Sequence, residues 1–127
     1  MTKQPAGGSK PAGAYSPGII AEGRFVYVSG QGALDGGGES AATVGEQTEI
    51  VVGKLAAVLE SAGATLADVV RCGVYLTDIR DFAAMDKVYR ASFPEPLPAR
   101  TTIGVAALPL PGMLVEIDCV AVLPQSG

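Results

Sequence analysis

Leu97-Pro98-Ala99-Arg100-Thr101-Thr102-Ile103-Gly104-Val105 is followed, after Pro109-Leu110-Pro111-Gly112, by Leu114-Val115-Glu116-Ile117-Asp118-Cys119-Val120-Ala121-Val122. Pro98 fixes the approach to the first run, and Thr101-Thr102-Ile103 favours a strand that begins at an arginine. The Pro-Leu-Pro-Gly segment reads as the turn between two strands. The second run alternates. Val115, Ile117, Cys119, Ala121 and Leu123 fall on one wholly apolar face, the face that helices cover. Leu114, Glu116, Asp118, Val120 and Val122 fall on the other. That second face is either solvated or lines a subunit interface with a site in it. Carboxylates buried there need partners, and Arg100 or Arg71 are candidates.

Upstream of these strands the pattern changes period. Thr43-Val44-Gly45-Glu46 fits a capping box. Val44, Gln47, Val51, Leu55, Val58 and Ala62 follow at spacings of three and four, with Ile50 and Leu59 widening the stripe. Gln47 is its single polar member. Gly63 stands where a C′ glycine ends a helix. Thr65 to Asp68 is a second, shorter cap signal. Val69-Val70-Arg71-Cys72-Gly73-Val74-Tyr75-Leu76 predicts a strand. Asp78 and Asp81 offer N-caps for a helix from about Phe82 to Ser92, its apolar side formed by Phe82, Met85, Val88 and Tyr89. Pro94 and Pro96 end it.

Towards the N-terminus, Ile19-Ile20-Ala21, the Glu22-Gly23 turn and Arg24-Phe25-Val26-Tyr27-Val28-Ser29 predict a β-hairpin. Asp35-Gly36-Gly37-Gly38-Glu39 reads as a loop. Residues 1–12, rich in Gly, Pro, Ser and Lys, predict a flexible tail before one domain over residues 13–124. The predicted order is β-β-α-β-α-β-β: an α+β fold in which two helices share one face of a mixed sheet. The uncovered face is then explained most economically by pairing with further copies around a symmetry axis.

Composition narrows the chemistry. The chain has 127 residues, a length for one domain with a core that needs no staple. It is 48% hydrophobic and 17% charged, rather apolar for a small monomer, which points to apolar surface buried between subunits. The formal net charge is −4 and the nine basic residues are scattered, so nucleic-acid binding is disfavoured. There is no histidine, which removes Ser-His-Asp and Cys-His catalysis. With only two cysteines, Cys72 and Cys119, neither a zinc nor a haem site is expected. Both read as buried, reduced thiols. Lys54 and Lys87 lack the apolar setting that activates a Schiff-base lysine. No signal peptide and no membrane-spanning run is visible, so the chain reads as cytoplasmic.

The remaining chemistry gathers at Arg100. A guanidinium binds a carboxylate through two parallel hydrogen bonds. Thr102 shares the Arg100 face of its strand and offers a hydroxyl. Glu116 and Asp118 are carboxylates able to steer a proton or hold a water. Tyr15, just before the first strand, either packs over the core edge or closes a pocket. Ser29-Gly30-Gln31-Gly32 brings backbone N–H groups and a hydroxyl to a strand end; it lacks phosphate-loop spacing, and a turn is the plainer account.

Ala14-Tyr15-Ser16, Val26-Tyr27-Val28-Ser29-Gly30-Gln31, Leu76-Thr77-Asp78, Asp81-Phe82, Tyr89, Phe93-Pro94, Pro98-Ala99-Arg100 and Val115-Glu116-Ile117 together resemble the Rid (YjgF) family of reactive-intermediate deaminases. The resemblance runs from about residue 11 to 123. It implies a chorismate-mutase-like fold and a homotrimer whose sheets form a central barrel, with clefts between subunits. It implies hydrolysis of 2-imino acids, formed from enamines such as 2-aminoacrylate, to 2-keto acids and ammonia, with no metal and no cofactor. By the same resemblance Arg100 is the carboxylate grip, Glu116 positions water, and Tyr15 is the site tyrosine. Ser29 and Gly30 stand near the cleft. Thr102 replaces a frequent cysteine, and Asp86 replaces a frequent asparagine. The Asp35–Glu39 loop looks one residue shorter than usual. Asp118 is a weaker candidate than Glu116 for the water. The competing readings are a non-catalytic sensor or binding trimer for 2-keto acids, an interaction or chaperone-like protein, and a nuclease, which the acidic composition opposes.

Overall fold

Thr43 caps the first helix, α1 (Val44–Ser61), in a complete capping box: its hydroxyl accepts from the Glu46 amide, and the Glu46 carboxylate accepts from the Thr43 amide. Gly63, at φ +85°, ends the helix in the left-handed conformation that glycine adopts without a Cβ penalty. The computed structural model describes residues 3–33 and 43–125. The Asp35–Glu39 loop lies outside the described residues.

Among the described residues six strands and two long helices follow in chain order: β1 (Lys3–Ala6), β2 (Gly18–Ala21), β3 (Phe25–Gly32), α1, β4 (Val69–Leu76), α2 (Phe82–Ser92), β5 (Ala99–Gly104) and β6 (Val115–Val122). Short 3-10 turns, Leu66–Asp68 capped by Thr65 and Ile79–Asp81 capped by Asp78, precede β4 and α2. The main sheet has the order β3-β6-β4-β5, with β4 and β5 parallel and the other pairs antiparallel. This is the mixed α+β sheet with two helices that the alternation predicts.

The N-terminal expectations need correction. Lys3–Ala6, expected in a flexible tail, is a strand paired antiparallel with β2 in a separate two-stranded sheet. The β2–β3 hairpin does not form: β2 turns to β1, and β3 pairs with β6. Gly23 takes φ +133° between β2 and β3, and the chain changes sheet there. A β-bridge, Ser16 to Ala99, joins this N-terminal region to the start of β5.

The core sits between the sheet and the helices. Val115, Ile117, Cys119 and Ala121 are buried beneath α1, as their spacing requires. The helix stripe is rotated from its expected place. Thr48 and Val52 are buried, whereas Ile50 and Val58 are exposed. The Thr48 hydroxyl donates to the Val44 carbonyl one turn earlier, which lets a polar side chain enter the core. Gln47, fully buried, donates through Nε2 to the Gly112 carbonyl and accepts the Leu114 amide on Oε1. One side chain thereby joins α1 to the turn before β6 and satisfies two backbone groups. On α2, Met85 and Tyr89 are buried, and the Tyr89 ring stacks on Phe93. Asp81 makes no side-chain cap to α2, contrary to expectation, since the Ile79–Asp81 turn leads directly into the helix.

Candidate functional site

The register of the two parallel strands decides where Arg100 points. Arg100 lies beside Cys72, and Cys72 is fully buried on the helix side of β4. Arg100 therefore enters the space between β5 and α2, and its side chain has no exposed surface. The guanidinium carbon stands 4.7 Å from the Tyr89 ring centroid, 5.2 Å from that of Tyr15 and 5.3 Å from that of Phe82. Three electron-rich rings thus offset part of the cost of taking this cation from water.

Its polar contacts cover only part of the guanidinium. Nη1 donates to Asp86 Oδ1 at 2.7 Å and to the Ala14 carbonyl at 3.3 Å. The same Asp86 oxygen accepts the Ala14 amide at 3.0 Å. Both backbone groups of Ala14 are therefore held by the ion pair, which clasps the segment Gly13–Tyr15 over the arginine. The Tyr15 hydroxyl accepts the Ala12 amide and closes this segment on itself. Arg100 Nε and Nη2 are buried with no hydrogen-bond partner among the described residues. Together they form one edge of the planar cation, the geometry that receives a carboxylate with two parallel bonds.

Cys72 and Tyr89 line the inner end of this cage. Burial pushes the Cys72 thiol up to about 12, with the Tyr89 hydroxyl acting in the opposite direction. Burial also raises Tyr89 above the usual phenol range. Both groups are neutral near pH 7, so Arg100 and Asp86 are the charges that matter there.

A second cluster occupies the outer face. The Glu116 carboxylate lies against Gly30, and a Cβ at Gly30 would collide with it. Ser29 and Gly30 line a shallow cleft of about 330 Å³ with Tyr27, Val28, Asp118, Cys119 and Val120. Glu116 is half-buried and makes no hydrogen bond among the described residues. Asp118 is engaged: it accepts the Gly73 amide at 3.1 Å and the Tyr75 hydroxyl at 2.9 Å. That hydrogen bond raises Tyr75 above its ordinary value. Asp118 thus fastens β6 to β4 and is less available to a water than Glu116 is.

Within one chain the expected residues form two groups rather than one. Arg100, Asp86 and Tyr15 meet on the helix side, with Thr102 on the same face of β5. Glu116, Ser29 and Gly30 meet on the outer side. Arg71, considered as a partner for the carboxylates, donates instead to Thr101. Gly13, Phe82 and Tyr89 were not among the expected site residues. A Cβ on Gly13 would stand 3.0 Å from Arg100 Nη2 and 3.1 Å from Asp86 Oδ1, so the backbone closes here because no side chain intervenes. The signal for the aromatics was present: Phe82, Asp86 and Tyr89 follow at spacings of four and three, one helix face offering ring, carboxylate and ring.

The family model described as endoribonuclease L-PSP matches residues 6–123, nearly the whole chain. The chain belongs to this family, the Rid (YjgF) proteins. Among Rid relatives, the mitochondrial protein mmf2 of Schizosaccharomyces pombe is 40% identical over 125 residues, covering 95% of this chain and 98% of its own. Reactive Intermediate Deaminase A of Arabidopsis thaliana chloroplasts is 38% identical over 113 residues, covering 87% of this chain and 59% of its own. In solved structures, the Rid protein YyfB of Yersinia pestis superposes with a TM-score of 0.78 at 31% identity, over 97% of this chain and all of that one. RidA of the Antarctic bacterium Psychrobacter superposes with a TM-score of 0.73 at 38% identity, over 97% and 99%. The Rid fold follows from these likenesses. No helix among the described residues is long and apolar enough to cross a membrane.

Proposed function

We propose that this Rid protein hydrolyses 2-imino acids to 2-keto acids and ammonia in clefts between the subunits of a homotrimer. The observation that carries the reading is the buried, unpaired Nε and Nη2 edge of Arg100. A buried donor pair without a partner is costly, and a carboxylate satisfies both members at once. The deaminase name of the Arabidopsis relative supports the reaction class.

The sheet supplies a reason for more than one copy. β3 and β5 are its two edges, and edges with free backbone groups favour pairing. Phe25, Tyr27 and Ile103 are exposed on the outer face, beside the partly covered Val120. Joining the β3 edge of one copy to the β5 edge of the next covers these residues. In the proposed trimer the Gly30 and Glu116 group of one copy meets the Arg100 group of another at the cleft between them, whereas one chain keeps the two apart.

In the resulting cleft Arg100 grips the substrate carboxylate and fixes the adjacent C=N carbon. Tyr15 borders the entrance. Glu116 holds a water and accepts its proton as the oxygen attacks. The C=N π pair moves to nitrogen, forming a carbinolamine. Proton transfer to nitrogen and loss of the hydroxyl proton then break the C–N bond, releasing ammonia and the keto acid. A protonated imine is already electrophilic, so placement supplies much of the acceleration. The test is keto-acid release from a 2-imino acid generated in the cuvette by an amino-acid oxidase. The wild-type protein accelerates release above the spontaneous rate, and Arg100→Ala removes most of the gain. Equal rates with and without protein would overturn the proposal.

A further inference from the structure

We infer that Asp86 makes the site selective for ligands that carry a positive charge beside their carboxylate, and against simple monoanionic acids. The inference rests on the reading of Arg100 as a carboxylate grip.

Asp86 contacts the guanidinium from one side only. Its bond falls on Nη1, leaving the Nε and Nη2 edge unpaired. A ligand carboxylate that reaches that edge therefore pairs with it without displacing Asp86. The ion pair is neutral before any ligand arrives: Arg100 contributes +1 and Asp86 contributes −1, with their polar atoms 2.7 Å apart. A 2-keto acid adds one uncompensated negative charge to this enclosed space. A protonated 2-imino acid is a zwitterion and adds none. Its nitrogen cation also finds a favourable partner, because every described hydrogen bond of Asp86 falls on Oδ1 and leaves Oδ2 open. The Asp86 side chain is 17% exposed, whereas that of Arg100 is fully buried, so the carboxylate is the more accessible member of the pair.

The charge therefore sorts substrate from product. The imine enters as a matched dipole. Hydrolysis removes its cation with the ammonia, and the remaining keto acid faces Asp86 as a like charge and is released. An amide at this position would keep the same shape and the same acceptor for Ala14 and Arg100 but would lose the discrimination.

Calorimetry with two stable probes at low ionic strength tests this. 2-Oxobutanoate stands for the monoanionic product, and 2-aminobutanoate stands for the zwitterion. Asp86→Asn should bind 2-oxobutanoate on the order of tenfold more tightly, with no gain for 2-aminobutanoate. Inhibition of imine turnover by the same two compounds reads the same ratio when binding is weak. A ratio unchanged by Asp86→Asn, while Arg100→Ala abolishes binding of both probes, would overturn the charge selection alone. Binding of both probes that survives Arg100→Ala, or failure of the wild-type protein to bind either, would overturn the carboxylate grip beneath it.

Discussion

Arg100 and Glu116 lie on opposite faces of one sheet, Arg100 beneath α2 on edge strand β5 and Glu116 on the outer face of β6, with β4 between the two strands. Neither side chain can reach the other through the sheet. On the proposed assembly, a reaction that needs both uses different copies of the chain. This relationship separates the fold's stability from its chemistry, because each half of the site is built and held without the other.

Gly30→Ala tests the outer half. The added methyl meets the end of a flexible Glu116 side chain rather than backbone, so the carboxylate moves and the fold survives. Imine turnover should fall by about tenfold or more, because catalysis is sensitive to displacements near 1 Å. The melting temperature and far-ultraviolet circular dichroism should stay close to wild type. Full activity in the alanine variant would show that Glu116 need not stand where it does.

Gln47→Leu tests the buried amide that joins α1 to the turn before β6. It leaves the Gly112 carbonyl and the Leu114 amide without their partner. Stability should drop by about 2–4 kcal/mol in urea unfolding. An unchanged unfolding midpoint would mean that water or backbone replaces the amide.

The thiols give a pH dependence with a defined sign. Burial holds Cys72 and Cys119 near 12 in the folded chain, against an ordinary value of 9.0. Between those values the unfolded chain loses these protons and the folded chain keeps them. Stability from this source is thus present in full below pH 9 and is lost as pH rises towards 12. Both thiols should react slowly with an aromatic disulfide reagent at pH 8 and rapidly once urea unfolds the protein. Fast labelling of the native protein would contradict the burial.

Tyr75 reports on Asp118. The carboxylate accepts the phenol proton and so favours the neutral phenol. In a spectroscopic titration Tyr75 should ionise above the ordinary tyrosine range, and Asp118→Asn should bring it down. No movement on substitution would place the hydrogen bond elsewhere.

What the sequence reveals depends on how local the cause is. The Thr43 capping box, the Gly63 stop and the alternation of β6 are written in neighbouring residues, and each appears in the fold. Lys3-Gln4-Pro5-Ala6 has no apolar alternation, and its strand exists only through pairing with residues 18–21, so composition reads it as a tail. β5 hides its orientation for a related reason. Arg100 and Thr102 alternate with Ala99, Thr101 and Ile103, and neither set is apolar enough to declare itself the buried face. The register with β4 makes that choice, and it sends Arg100 to Asp86 rather than to Glu116. Arg100, Asp86 and Tyr15 were thus legible as residues, while their separation from Glu116 was not.

Mixing two inactive variants tests the central claim most directly. Arg100→Ala and Glu116→Gln, each purified, should show little imine hydrolysis alone. Unfolded together and refolded, they should form mixed oligomers in which some clefts combine an intact Arg100 from one copy with an intact Glu116 from another. The account predicts that activity returns to a sizeable fraction of wild type. A mixture that assembles yet stays as inactive as its components would contradict it.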